Sequence, residues 1–320
     1  MKKNKLTENK NPNRSKLQGI FNVCSKSKVT ASSGVSDQSQ TNKKKVVVIT
    51  SITSDIGKYL AEKYSKEGYA IIGTYRSKER LEELKKIPNC YLFFCDLNDK
   101  KSTTKFIEDY YRLNITTNLN LFWNIFISCS GTMKPIGNFF NCQFDQWEES
   151  IHINALEQLR ILHALYKLMD KETSSTVVFF AGGGTNTAPL NYSAYVLSKI
   201  MLTKMCELLD AENKEITSFI IGPGWVKTKI HQETIINKDE AGDNYLKTLN
   251  FLNSDQGTSM EEIYDCIKWL TEQQKEVVSG RNFSVVHDHW QKPLNKELVE
   301  ALISNKSMYK LRRDNNNFLT

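Results

Sequence analysis

The sequence predicts an α/β protein, a single domain built on a doubly wound parallel sheet. Three observations carry that expectation. Short runs of β-branched and aromatic residues alternate with segments of helical period from Lys45 onward. The strand runs are almost continuously apolar, as strands buried on both faces must be. The connecting segments are long enough to cross over between parallel neighbours.

The elements follow in order. "KKVVVIT" is a first strand, and "SDIGKYLAEKYSKEG" a helix closed by Gly68. "YAIIGTY" and "SKERLEELKK" repeat the unit, as do "CYLFFCD" and "KSTTKFIEDYYRL". "LFWNIFIS" is a fourth strand, followed by a long helix expected over Asp145–Lys171. "STVVFFA" is the fifth strand, Asn191–Glu212 the next helix and "EITSFIIG" the sixth strand. Trp225–Gly257 reads as an irregular polar loop, and a loop of that length usually serves a function. "TSMEEIYDCIKWL" restarts a helix, with Ser259 and Glu262 in capping-box spacing. "RNFSVV" is a last strand, which closes the domain at 44–287 and leaves 288–320 as a polar C-terminal extension.

Hydrophobic residues make up 40% of the 320, enough for a sizeable core. No apolar run approaches the ~20 residues of a membrane helix, so no membrane span is expected. The net charge is +7, and residues 1–43 hold nine Lys or Arg against two acids. The excess therefore sits in a flexible basic tail, and the folded part is neutral. That argues against nucleic acid as the domain's partner. The seven cysteines form no CxxC pair, which suits reduced thiols in a cytoplasmic protein. The histidines of "HDH", His287 and His289, have no further ligands nearby, and no metal site is expected.

Two stretches carry chemistry. "TSITSDIG", Thr50–Gly57, is a strand, a tight turn and a helix start. Unpaired N–H groups at such a helix end suit a pyrophosphate. In "YSAYVLSK", Tyr195 and Lys199 stand four residues apart, on one face of a helix. A phenol titrates near 10, and an adjacent ammonium lowers that value, which fits a proton donor and acceptor for a carbonyl oxygen.

These motifs, with "CDLND", "SCSG" and "GPGWVKT", resemble the short-chain dehydrogenases/reductases over about Lys45–Val286. The resemblance implies a Rossmann-type fold and reversible carbonyl/alcohol hydride transfer with NAD(P). Thr50, Ile56 and Gly57 match the family's glycine-rich turn, with Ser51 and Thr53 inside it. Ser51 and Asp55 replace usual glycines, and the Asp55 carboxylate competes with phosphate for the helix end. Arg76 stands where NAD-preferring members carry an acid, so NADP is favoured over NAD. Asp96 and Leu97 match the adenine contact, and Gly131 the one agreeing residue of the family's NNAG. Pro223, Gly224, Val226 and Thr228 occupy the turn that holds the nicotinamide end. Asn154 matches the helix asparagine that links the lysine to solvent.

One part is missing. Counting back from Tyr195, the family's serine falls on Gly182, or on Ala181 with a one-residue insertion, and neither has a donor side chain. Loss of such a donor costs about 3 kcal/mol. Thr185 is the nearby hydroxyl that can substitute. The resemblance further implies a homodimer or homotetramer paired through long helices. "GGGTN" and "SGRNFSVV" are similar to members tied to surface-polysaccharide clusters, which implies a sugar or sugar-nucleotide as the small-molecule substrate. The alternative is a dinucleotide sensor or scaffold with a decayed site.

Overall fold

The computed structural model describes residues 44–313 except 118 and 292. The basic tail expected over 1–43 lies outside the described residues. The elements are β1 (Val46–Thr50), α1 (Asp55–Lys66), β2 (Ala70–Tyr75), α2 (Leu81–Leu84), β3 (Cys90–Phe94), α3 (Lys100–Thr117) and β4 (Ile125–Ser128). Then come α4 (Phe144–Ile151), α5 (Glu157–Leu165), β5 (Ser175–Phe180), α6 (Ser193–Glu212) and β6 (Ile216–Gly222). The chain continues through α7 (His231–Ile236), α8 (Lys238–Ala241), α9 (Asp243–Leu252), α10 (Met260–Thr271), α11 (Lys275–Val278), β7 (Arg281–Ser284) and α12 (Asn295–Ser304).

The seven strands form one parallel sheet in the order β3-β2-β1-β4-β5-β6-β7. Alternate residues of β1 feed two cores. Val47 and Ile49 pack with Leu60 and Tyr64 of α1 and Ile267 of α10. Val46 and Val48 pack on the other face with Phe106 and Tyr110 of α3, Leu165 and Leu202. The winding direction reverses between β1 and β4, which opens a crevice at the carboxyl ends of those strands.

Ser54 caps α1 by accepting a hydrogen bond from the Gly57 N–H at 3.0 Å. Ser259 and Glu262 form the capping box read from the sequence. Such a cap stabilises a helix by about 1 kcal/mol.

Two expectations are corrected. The helix read over Asp145–Lys171 is interrupted: α4 passes through one widened π-turn, His152–Leu156, before α5, and a 3-10 turn ends at Leu168. Asn154 lies within this turn and is buried. The stretch Trp225–Gly257 is mostly helical, as α7, α8 and α9. Its apolar positions are few, yet Thr234, Ala241 and Thr248 are buried against the domain.

Part of the C-terminal extension also packs on this core, through Trp290, Leu298, Leu302 and Met308. Leu298 and Leu302 of α12 join the cluster under α1 and α10. Buried Arg281 donates to the carbonyls of Leu302 at 2.7 Å, Asn305 at 3.2 Å and Met308 at 2.5 Å. None of the described helices is long and apolar enough to cross a membrane.

Candidate active site

The crevice holds a cavity of about 540 Å³ whose walls include Ser51, Thr53, Arg76, Leu97 and Gly131 from the predicted set. Two of its wall residues, Ser51 and Ser130, belong to a chain of hydroxyls. Thr50 Oγ1 lies 2.9 Å from Ser128 Oγ and 3.1 Å from Ser130 Oγ, and Ser51 Oγ lies 2.8 Å from Ser130 Oγ. Ser128 donates onward to Gln158 Oε1 at 2.6 Å. This cross-linking is what "SCSG" does in place of the asparagines. Ser128, Ser130 and Gln158 were not singled out from sequence, because only the tertiary approach of β1 to β4 gives them a role.

Ser51 has φ 52°, the left-handed conformation that favours the glycine it replaces. Its N–H donates to Thr74 Oγ1 at 3.1 Å, which offsets part of the strain of roughly 1–2 kcal/mol. Gly57 is required by space: a Cβ there would lie 2.7 Å from the Ser51 carbonyl oxygen. Ile56 packs behind the turn against the core.

The Asp55 carboxylate does not stand free at the helix end. Arg80 Nη2 lies 2.7 Å from Asp55 Oδ1, and the Lys229 N–H donates to Oδ2 at 2.9 Å. The acid expected to repel phosphate is thus paired. Arg76 is exposed at the end of β2, with Nη1 4.0 Å from Asp96 Oδ1. Asp96 itself accepts from the Asn98 N–H at 3.0 Å.

On the other side, Asn154 is fully buried. It accepts from the Thr132 N–H at 2.8 Å and donates to the Thr132 carbonyl at 2.8 Å. A Cβ on Gly131 would lie 3.9 Å from both Asn154 Oδ1 and Lys199 Nζ, so the lysine and asparagine converge beside that glycine. Lys199 is buried on α6, its Nζ 5.6 Å from the Tyr195 ring centre. Its ammonium makes no hydrogen bond or ion pair among the described residues.

Burial pushes the Lys199 ammonium down to about 8. Burial, reinforced by the charge of Glu233, pushes the Tyr195 phenol up to about 12. The sequence argument expected a lowered phenol. The sign is reversed because desolvation outweighs the neighbouring ammonium and a carboxylate approaches from α7.

Glu233 is a residue the sequence did not reveal. It accepts from Thr132 Oγ1 at 3.0 Å and from the Met133 N–H at 2.5 Å. Beside it, Thr234 Oγ1 lies 3.0 Å from the Tyr192 hydroxyl. Lys229 also pairs with Glu79. The segment from Lys229 through α7 therefore lies latched over the crevice, with Lys229 and Glu233 in the cavity wall.

The missing serine has a structural explanation. Ala181 is buried in the core cluster with residues of α3, α5 and α6. At Gly182, a Cβ would lie 2.5 Å from Tyr195 Cε1 and 2.6 Å from its hydroxyl oxygen. The tyrosine occupies the place of the absent side chain. Thr185 makes no hydrogen bond among the described residues.

The nicotinamide-end turn is less connected to this cavity. Gly224 has φ 75°, and a Cβ on it would meet Val286 and Thr258. Val226 is buried in the core, and its carbonyl accepts from His231 Nε2 at 2.9 Å. The Thr228 carbonyl accepts from the His231 N–H at 3.4 Å. Pro223 precedes this turn at the end of β6. The described cysteines are free thiols, and among the described residues no cluster of His, Cys, Asp and Glu could hold a metal ion.

A parallel sheet with a capped helix start at its crevice and a tyrosine and lysine side by side is the arrangement of an oxidoreductase fold. The chain belongs to the short-chain dehydrogenase family, whose profile matches residues 45–239. It is 22% identical over 240 residues to dehydrogenase/reductase SDR family member 6 of Rattus norvegicus, covering 74% of this chain and 93% of that protein. An actinorhodin polyketide ketoreductase solved with NADPH superposes with a TM-score of 0.64 at 17% identity, covering 76% of this chain and 95% of that one. A 4-hydroxyisoleucine dehydrogenase complexed with NADH gives 0.62 at 18%, covering 75% and 96%.

Proposed function

We propose that the protein is an NADP(H)-linked reductase of polar carbonyl compounds, with sugars and nucleotide sugars as the substrate class. The convergence of buried Lys199, Asn154 and Gly131 beside Tyr195 carries this reading. The residues present fit a dinucleotide: the close Ser51–Gly57 turn, the capped α1 end and the cavity lined by Thr53, Arg76 and Leu97. When bound, the nicotinamide supplies or accepts the hydride. Arg76 pairs with the 2′-phosphate, and Asp96 and Leu97 border the adenine. Pro223, Gly224, Val226 and Thr228 flank the nicotinamide end.

Tyr195 holds the proton at its hydroxyl oxygen. Its raised value keeps the phenol protonated at neutral pH, which suits donation to a substrate oxygen. Lys199 holds the ribose and supplies positive charge to the phenolate that donation leaves. Asn154 fixes the Thr132 backbone and so the wall beside the lysine. The Thr185 hydroxyl, without a partner among the described residues, is the donor proposed to orient the carbonyl. Lys134, Gln146 and Glu233 in the cavity wall supply polar contacts that a hydroxylated substrate satisfies better than an apolar one.

A screen of NADPH oxidation against carbonyl compounds and nucleotide sugars tests this reading. Turnover by the native protein, lost in Tyr195→Phe with cofactor binding retained, is the expected result. Turnover by Tyr195→Phe at the native rate overturns it. The tyrosine seated on Gly182 favours one second reading, a dinucleotide sensor. Tight NADPH binding with no turnover of any compound is its mark.

A further inference from the structure

A second cavity, of about 1030 Å³, opens at the carboxyl end of β7, and no residue of its wall belongs to the first cavity. Tyr195 and Lys199 line neither cavity. It lies behind the Gly224 turn, between α9 and the chain that follows β7. Its size reaches the upper end of small-molecule sites.

The wall is aromatic. Trp225, Phe251 and Trp290 contribute, with the rings of His287 and His289. Trp225 remains 47% exposed, a large apolar surface to leave in water. Its ring is nevertheless fixed. His231 stacks on it at 5.5 Å with an interplanar angle of 2°, and Phe251 packs at 4.9 Å. A held, half-exposed indole is a preformed surface for a flat ligand, because little side-chain freedom remains to be lost on binding.

The charges in the wall are unequally engaged. Glu262 Oε2 accepts from the N–H and hydroxyl of Ser259, both at 2.8 Å. Asp288 accepts from the Ser284 N–H at 2.7 Å and bonds the Tyr309 hydroxyl. Lys247 is exposed on α9 and makes no hydrogen bond or ion pair among the described residues. The side chains of His287 and His289 make no hydrogen bond among them either. Each acid is engaged by hydrogen bonds within the protein, while Lys247, His287 and His289 are open.

We propose that this cavity binds a planar aromatic carboxylate, its ring on Trp225 and its carboxylate at Lys247. The ring gains from aromatic stacking, and the carboxylate from a charge-assisted hydrogen bond. The cavity shares the Gly224 turn with the nicotinamide end and no residue with the wall of the first cavity.

Naphthalene-2-carboxylate and the uncharged 2-naphthylmethanol are the probes, titrated into the native protein by calorimetry. The carboxylate is expected to bind saturably below millimolar concentration and at least ~10-fold tighter than the alcohol. Lys247→Ala, a change at an exposed position, should erase that preference, and Trp225→Ala should weaken both probes. Saturating NADPH should leave the carboxylate bound. No saturable binding, equal affinity for the two probes, or a preference retained in Lys247→Ala overturns the proposal. Displacement by NADPH also overturns it, since the probe would then occupy the cofactor crevice. None of these readouts depends on turnover, so failure here and failure of the reductase reading are distinguishable.

Discussion

At Gly182 the absence of a side chain is a packing requirement, since Tyr195 rests on its α-carbon. Gly182→Ser, which by the family's pattern would restore the donor, is therefore expected to push the phenol aside. Turnover should fall roughly 100-fold, as displacement of a reacting group by an ångström does, while NADPH affinity stays near native. Initial rates and a binding isotherm on the same preparation check it. Lys199 allows a test on stability. Its folded value of about 8 lies below the ordinary 10.5, so burying the ammonium costs about 3 kcal/mol at neutral pH. Between those values the unfolded chain binds the extra proton, so stability rises with pH as the cost is relieved. Lys199→Met should raise the melting temperature at pH 7, by a margin that shrinks toward pH 10. An unchanged or lower Tm at pH 7 would contradict the burial argument.

At the scale of elements, α7 is the part that decides how the crevice behaves. Glu233 adds to the rise of the Tyr195 phenol, so removing its charge must lower that value. Glu233→Gln is expected to move the alkaline limb of the pH–rate profile to lower pH. A profile identical to native would show that the carboxylate does not reach the phenol. The strands and helices around the sheet were legible because each carries a long apolar period or β-branched run, as "VVVIT" and "STVVFF" show. The turn at Thr50–Gly57 and the Tyr195–Lys199 pair were legible because their spacing is local. The latch was not: Glu233 meets Met133 across 100 residues of chain, and nothing in either neighbourhood announces it. The π-turn escaped for a related reason, since no residue type in His152–Leu156 marks it. Asn154 drew notice as a poor helix former, yet its grip on Thr132 is a tertiary fact.

For the whole molecule, the exposed faces set how copies can meet. Leu197, Met201 and Leu208 of α6 lie on one stripe and are 50%, 37% and 45% exposed, and Leu156 on the π-turn is also exposed. A contiguous apolar stripe of this kind favours association. The edge of β7 offers no comparable route, because Asn282 N–H already donates to the Tyr309 carbonyl at 2.8 Å. We expect a homodimer through α6, dissociated by Met201→Glu. Light scattering that finds the native protein monomeric at micromolar concentration would count against it.

The strap that closes β7 also orders events in the life of each molecule. The carbonyls that satisfy Arg281 come from residues 302, 305 and 308, which leave the ribosome after every strand of the sheet. Until they emerge, the nascent sheet holds a guanidinium that must stay wet, and its last edge lies open to a neighbouring chain. A stop codon before Leu302 thus leaves the cofactor crevice encoded in full, yet yields a polypeptide exposed to chaperones and proteases. Selection can act on residues 302, 305 and 308 through the fate of newborn chains, with no change to the chemistry upstream.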